Sequence, residues 1–309
     1  MIKRTLYFEN PAYISTKQSQ LIIKMPDAEK NLPKEFSERF SSSIAIEDIG
    51  IVILDNQQIT ITQGAIQALL ENNCSVIICD ANRMPAGLLL PLSCNSLQGE
   101  RYKHQISSSL PLRKQLWQQT IQSKVANQAS LLKVVTGNDV PNMQKWIKDV
   151  KSGDTTNIEA RAAVYYWANL FPKSFSFSRD RFGMPPNQLL NYGYAILRAV
   201  IARSLVSSGL LPSLGIHHKN RYNSFALADD IMEPYRPYVD RIIVNIIKSG
   251  MDHNDLTKNI KIQLLSIPVI DVEIDGLKRP LSIAAGITTS SLYKCFSKED
   301  KIITYPILS

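Results

Sequence analysis

Ile59-Thr-Ile-Thr-Gln-Gly-Ala-Ile-Gln-Ala-Leu-Leu-Glu-Asn-Asn-Cys-Ser-Val-Ile-Ile-Cys79 changes its hydrophobic period twice. Ile59 to Thr62 is short and β-branched, as a strand is. Thr62 can then cap a segment in which Ile66, Leu69 and Leu70 recur at helical spacing. That segment stops at Asn72-Asn73, and Ser75 to Cys79 resumes an extended apolar run. Strand, helix, strand in this order predicts a small sheet covered by a helix. Upstream, Leu6 to Phe8, Gln20 to Lys24 and Ile44 to Leu54 read as further strands, divided by breaks such as Asn10-Pro11 and Asn56-Gln57-Gln58. Downstream, Pro85 to Pro91 is read as the exit from the sheet, and the Ser- and Asn-rich segment Ser93 to Ser96 as a domain boundary.

Beyond residue 100 the period is helical. Leu112, Leu116, Ile121 and Val125 form one stripe. Ile158 to Leu170 is Ala-rich and must pack closely, with Gly153 to Asn157 supplying a turn and possible caps. Pro185-Pro186 starts a long helix from about Asn187 to Ser208, ended by Gly209 and Pro212. Val239, Ile242, Ile243, Ile246 and Ile247 define another, whose beginning Pro234 and Pro237 kink or restart. Ile267 to Ile274, Asp275-Gly276 and Leu277 to Leu281 read as a hairpin, before a last helix from about Leu281 to Cys295. The expected fold is α+β: a small N-terminal β-rich domain over residues 1–95, then a larger all-α domain over residues 96–309.

Composition narrows the function classes. The chain is 44% apolar and 20% charged, which is ordinary globular composition, with a formal charge of +8 that suits a polyanionic partner. No apolar run approaches the roughly 20 residues that span a bilayer, and Met1 to Asn10 lacks the features of a secretory signal. A cytoplasmic protein without a membrane partner is expected. Cys74, Cys79, Cys94 and Cys295 have neither zinc-ligand spacing nor disulfide density, and read as buried thiols.

Three regions carry chemistry. From Arg101 to Gly137 stand Arg101, Lys103, Arg113, Lys114, Lys124 and Lys133 with no Asp or Glu, which is either a surface that tracks phosphates or a solvated helix face. Phe171 to Phe182 interleaves phenylalanines with Lys173, Arg179 and Arg181, suited to stacking bases and pairing phosphates or to anchoring a loop in the core. Gly215 to Asp240 contains His217 and His218, then Asp229, Asp230 and Glu233. An imidazole and a carboxylate of this stretch could share one ion, or the histidines could be solvated and the Asp pair a helix cap. Glu233 lies beside the break at Pro234. Glu159, in the first turn of its helix, is favoured there by the helix dipole whatever else it does.

Several segments together resemble one family, the CRISPR-associated integrases of spacer acquisition (Cas-one), in the form found with type II systems. They are Ile44-Ala-Ile-Glu-Asp-Ile-Gly, Met84-Pro-Ala-Gly-Leu-Leu-Leu-Pro-Leu, Ile158-Glu-Ala-Arg-Ala-Ala, Leu189-Leu-Asn-Tyr-Gly-Tyr-Ala-Ile-Leu, Gly215-Ile-His-His and Asp230-Ile-Met-Glu-Pro-Tyr-Arg-Pro-Tyr-Val-Asp. The resemblance implies an N-terminal dimerisation domain and a C-terminal catalytic, DNA-binding domain. It implies one divalent ion, Mn2+ or Mg2+, held by Glu159, His218 and Glu233, which are also the catalytic residues. Asp230 would orient a ligand or a metal-bound water, with His217 in support. Lys219, Arg221 and Asn223 become candidates for holding the scissile phosphate, beside Arg179 and Arg181.

The implied activity is DNA integration and cleavage: insertion of new spacers into a CRISPR array by attack of DNA 3′-OH groups at repeat ends, without a covalent enzyme intermediate. The implied partners are double-stranded DNA (protospacer and CRISPR repeat), a second copy of the chain, the small adaptation subunit Cas-two, and the type II effector nuclease with an accessory subunit. Two other readings fit the residues: a stand-alone structure-selective nuclease acting on branched DNA, and a non-enzymatic basic scaffold that binds nucleic acid.

Overall fold

The computed structural model describes residues 3–25, 42–172 and 177–309. It divides into two compact units, Met1–Cys94 and Asn95–Ser309.

Among its described residues the first unit holds two sheets. One has β1 (Arg4–Phe8), β5 (Ile49–Leu54), β7 (Ser75–Cys79) and β8 (Pro85–Leu89) in that order, parallel except for the β7–β8 pair. Strand β5 is buried along nearly its whole length, as a parallel interior strand must be, which explains its unbroken Ile-Gly-Ile-Val-Ile-Leu run. The other sheet orders β4 (Ser42–Ala45), β3 (Gln20–Lys24), β2 (Tyr13–Lys17) and β6 (Thr60–Ile61). Helix α1 (Gln63–Glu71) follows β6, and its N-cap Thr62 accepts from the Ala65 N–H. Phe8, Ile14, Leu21, Ile46, Ile49, Val52, Leu69 and Val76 share one core with it.

Two expectations need correction here. Ile44 to Leu54 is not one strand, because a 3-10 turn over Ile46–Asp48 separates β4 from β5 and lets them join different sheets. Pro85 to Pro91 is not an exit loop: Pro85–Leu89 pairs as β8 on the sheet edge, where the missing N–H of a proline is tolerated. The Tyr13–Lys17 strand was also not foreseen.

Among its described residues, the regular structure of the second unit is helical apart from one hairpin. Its helices are α2 (Gln98–Ile106), α3 (Leu110–Thr136), α4 (Pro141–Asp149), α5 (Ile158–Leu170), α6 (Asn187–Ser207), α7 (Ala226–Met232), α8 (Arg236–Lys248), α9 (Lys258–Leu265) and α10 (Leu281–Phe296), with the hairpin β9 (Asp271–Ile274) and β10 (Leu277–Pro280) before the last. The hairpin starts later than expected because Ile267–Val269, with Pro268 inside, forms a 3-10 turn. Helix α3 is the spine. Ser109 caps it, Gly137 ends it in the left-handed conformation (φ 71°), and α4, α5, α8 and the 3-10 turn Glu233–Tyr235 all pack against it.

Helix α6 is long and apolar enough to cross a membrane by length and composition, more so than the sequence reading allowed, but most of it is buried within the unit. Its Gly193 has a steric purpose. A Cβ there would lie 2.5 Å from Val239 Cγ1, so only glycine lets α8 approach this closely.

Candidate active site

Helix α3 presents a polar stripe to the interior. Leu116, Ile121 and Val125 are buried as their periodicity predicts, yet Trp117, Thr120, Lys124 and Asn127 are buried too. Their spacing of three and four residues places them on one side of the helix. Thr120 Oγ1 lies 2.8 Å from the Tyr305 hydroxyl. Asn127 donates to the Pro234 carbonyl at 2.8 Å and the Pro306 carbonyl at 3.0 Å, and accepts from the Leu308 N–H at 2.9 Å.

Lys124 stands at the middle of this stripe. Its Nζ donates to Glu159 Oε1 at 2.7 Å and pairs with Glu233 Oε2 at 2.6 Å. The expectation for Lys124 as a surface cation that tracks phosphates is therefore wrong. It is 8% exposed and neutralises one buried acid, Glu233, and one half-buried acid, Glu159. Burial alone would push its ammonium down; Glu233 and Glu159 outweigh burial and hold it above the ordinary lysine value. The sequence carried one signal for this role, Thr120, Lys124 and Asn127 at helical spacing beside an apolar stripe, since a surface face is not confined to so narrow a line.

Each acid is set by its backbone. Glu159 opens α5, whose first N–H groups are capped from upstream: Asp154 accepts from Ile158 N at 2.8 Å and from Glu159 N at 2.9 Å. Glu233 begins the 3-10 turn between α7 and α8, where Pro234 and Pro237 interrupt regular helix as expected. Its other oxygen, Oε1, pairs with Arg236 Nε at 2.9 Å. Burial favours the neutral acid, but Arg236 and Lys124 override it and hold the Glu233 carboxyl below its ordinary value.

The histidine loop is organised by Asp230. Its side chain is inaccessible and accepts from the N–H groups of Ile216 at 2.7 Å, His217 at 2.9 Å and His218 at 3.3 Å, while Oδ1 lies 2.5 Å from His218 Nδ1. Gly215 is required at the start of this turn, because a Cβ would meet the His218 carbonyl oxygen at 2.6 Å and Asp230 Oδ2 at 2.9 Å. The pairing raises the His218 pKa, chiefly through the hydrogen bond to Asp230. It also commits Nδ1, so Nε2 is the ring atom left to act as a ligand. His217 lies flat on Trp117, with centroids 4.1 Å apart and planes within 2°, and burial lowers its pKa. Trp117 meets the His218 ring edge-on at 5.6 Å.

The structure thus brings Glu159 and Glu233 onto one cation. It places His218 close enough that both acids help to raise its pKa. Among the described residues, no three His, Cys, Asp or Glu side chains converge directly as a metal-ligating group. Lys124 lies between the two glutamates instead. Asp230 faces the histidine loop and Asp229 pairs with Arg198 Nε at 2.6 Å, so the Asp pair lies inside α7 rather than capping it.

The other candidates are dispersed. Asn223 donates to Asp229 Oδ2 at 2.8 Å and accepts from Phe225 N, which makes it a brace of the loop rather than an open phosphate contact. Arg179 bonds to Asn187 and Asn191 and lies over the Tyr194 ring, so it too is committed internally. Lys219 and Arg221 are exposed, the latter stacked on Tyr222, and Arg181 stacks on the exposed Phe182. Lys173 lies outside the described residues. Arg236, which sequence reasoning passed over, contacts Glu233 directly.

Comparison with known proteins adds four findings. The family described as CRISPR associated protein Cas1 matches residues 6–266. A CRISPR-associated endonuclease Cas1 from Neisseria meningitidis is 34% identical over 277 residues, covering 89% of this chain and 86% of that protein. Among solved structures, a casposase bound to integration product superposes with a TM-score of 0.77 at 22% identity, over 98% of this chain and 92% of that one. A chain of a Cas6-RT-Cas1–Cas2 complex gives 0.73 at 20% identity, over 97% of this chain and 35% of that one.

Proposed function

The chain belongs to the CRISPR-associated Cas1 (Cas-one) family, and from that membership we propose that it is a divalent-metal-dependent DNA integrase and endonuclease of CRISPR adaptation. In this reading it joins the 3′-OH ends of a short duplex to phosphodiesters at the two ends of a repeat, by two transesterifications. One observation carries it: Glu159 and Glu233, from separate elements, share a single positive centre at Lys124, beside a His218 whose Nδ1 is held by Asp230.

The donor set fits a divalent ion. Two carboxylate oxygens and one imidazole nitrogen suit Mn2+ or Mg2+, and the Lys124 ammonium already shows that both glutamates can face one cation. When bound, such an ion neutralises the non-bridging phosphate oxygens and stabilises the attacking or leaving oxygen. The chain's own residues do the rest. Glu159, Glu233 and His218 Nε2 bind, Asp230 keeps the proton on Nδ1, and Arg236 fixes the rotamer of Glu233 through Oε1. Lys219 and Arg221, exposed beside the histidines, hold DNA phosphates. Attack by the DNA hydroxyl is direct, since the ring nitrogen His218 has engaged pairs with a carboxylate rather than a Ser or Tyr hydroxyl, and burial pushes the Cys295 thiol up to about 12.

The partners proposed with this activity are double-stranded DNA (protospacer and CRISPR repeat), a second copy of the chain, Cas2, and the type II effector nuclease with its accessory subunit. The formal charge of +8 and the likeness to a casposase bound to integration product and to a chain of a Cas1–Cas2 assembly support the first and third. The test is joining of protospacer DNA to a repeat-containing plasmid with Mn2+. Glu159→Ala, His218→Ala and Glu233→Ala should each abolish it; a variant that still joins would remove the assigned site, and cutting without joining would replace the integrase by a nuclease.

A further inference from the structure

Lys124 has no place in the reaction just described, yet it holds both acids that the reaction needs. Its ammonium has three donors and no acceptor; it donates to Glu159 Oε1 at 2.7 Å and forms an ion pair with Glu233 Oε2 at 2.6 Å. Arg236 occupies the other oxygen of Glu233. The four groups together are neutral: two carboxylates, one ammonium and one guanidinium. The other nearby acids are engaged as well: Asp230 by His218 and three backbone N–H groups, Asp154 by the N–H groups of Ile158 and Glu159, Asp229 by Arg198 and Asn223, and Asp240 by Tyr166 and Tyr194.

A divalent ion added between Glu159 and Glu233 would meet the Lys124 charge at close range in a largely buried site, where charges repel more strongly than in water. Each of these described carboxylates is already engaged and offers no spare charge to compensate. Addition is therefore unfavourable and exchange is not. Unlike the planar guanidinium of an arginine, Lys124 is a point charge on a flexible four-carbon stem, so it can withdraw without moving α3. In the absence of the ion, the same charge offsets the repulsion between the buried Glu233 and the half-buried Glu159 carboxylates.

We propose that Lys124 is a tethered place-holder cation: it keeps Glu159 and Glu233 together in the metal-free protein and is exchanged for the divalent ion, which it opposes by competition. This rests on the metal-site reading above. It makes metal affinity a property of α3 as well as of the ligands, and it gives the metal-free site a defined, neutral geometry.

The experiment is Mn2+ binding without DNA, by calorimetry and by electron paramagnetic resonance of the free ion, on the full chain. Lys124→Met keeps the length of the stem and removes the charge, and should bind Mn2+ about tenfold more tightly or better, the scale on which groups around a metal's ligands alter affinity. Lys124→Gln, which keeps a hydrogen-bond donor, should behave alike and serves if the methionine variant does not fold. Both should melt lower than the parent without metal and gain more from saturating Mn2+ than the parent does. Affinity equal to or weaker than the parent's in a folded variant overturns the proposal. Glu159→Gln and Glu233→Gln separate the two levels: if they abolish Mn2+ binding while the Lys124 variants bind no tighter, exchange alone fails, and if they leave binding intact, the metal site itself is wrong.

Discussion

His218 Nδ1 lies 2.5 Å from Asp230 Oδ1, and the same carboxylate collects the N–H groups of residues 216 to 218. One buried acid thereby fixes a loop conformation and a tautomer together. Asp230→Asn separates these tasks. To keep accepting from the backbone, the asparagine must turn its oxygen to the loop and its NH2 group to His218, which forces Nδ1 to accept and Nε2 to carry the proton. A protonated Nε2 cannot ligate. Mn2+ affinity should fall about 10–100-fold with the fold retained, as loss of a carboxylate behind a metal-binding histidine does, and calorimetry beside circular dichroism measures both.

Trp117 is 1% exposed and stacks flat against His217. Its replacement by phenylalanine keeps a ring face, and should cost about 1 kcal/mol, on the scale of one aromatic pair. Trp117→Ala leaves a cavity beneath both histidines and should cost about 3–5 kcal/mol in urea unfolding. The loop loses its floor as well, so DNA joining should fall more in the alanine variant than the fraction unfolded explains. Equal joining by folded alanine and phenylalanine variants would mean that the ring has no part in placing His218.

How much of this was legible in the sequence follows from what each pattern encodes. Periodicity located α8, an apolar run β7, Ala-rich composition α5, and flanking Pro and Gly residues α6, each to within about two residues. The acid before Pro234 was visible because proline interrupts the helix there. The resemblance, and not periodicity, joined Glu159 to His218. What stayed hidden was pairing across elements: Lys124 reads as one more cation in an acid-free stretch because its acids lie on α5 and beyond α7. The bonds of Arg179 to Asn187 and Asn191 and of Asn223 to Asp229 were also not visible, since polar residues in a loop carry no periodic signal of their partners. Pro85–Leu89 was misread because an edge strand accommodates the residues that mark a loop.

Asn127 ties α3 to Pro234, next to Glu233, and to Pro306 and Leu308 in the C-terminal segment. Asn127→Ala strands two buried carbonyls and one N–H, each costing about 1–3 kcal/mol when left unpaired. The variant should lose about 3 kcal/mol or more of stability by urea unfolding. DNA joining should drop under conditions where it is still folded, because the turn carrying Glu233 loses a fixed point. Retained joining at full folding would show that the Glu233 turn is held by Arg236 and Lys124 without help from the C-terminal segment.

Asp240 offers a pH signature apart from the proposed ligands. Tyr166 and Tyr194 donate to its two oxygens at 2.7 and 2.6 Å, and Arg236 and Arg179 lie near. Burial nevertheless outweighs these groups and raises its pKa from 3.8 to about 6. The folded state therefore holds a proton that the unfolded chain has released between those two values. Its contribution to stability is fully present below about pH 4, is lost as pH rises through about 6, and is constant above that. Two pKa units correspond to about 3 kcal/mol. Asp240→Asn removes the titration without unpairing the site, because a tyrosine hydroxyl can turn to accept from the new NH2 group. Urea unfolding of parent and variant from about pH 4 to pH 7 should give a stability difference that shifts by about 3 kcal/mol toward the variant as pH rises. Other carboxyl groups cancel in that difference, so one that stays constant across the range would place the Asp240 pKa near its ordinary value.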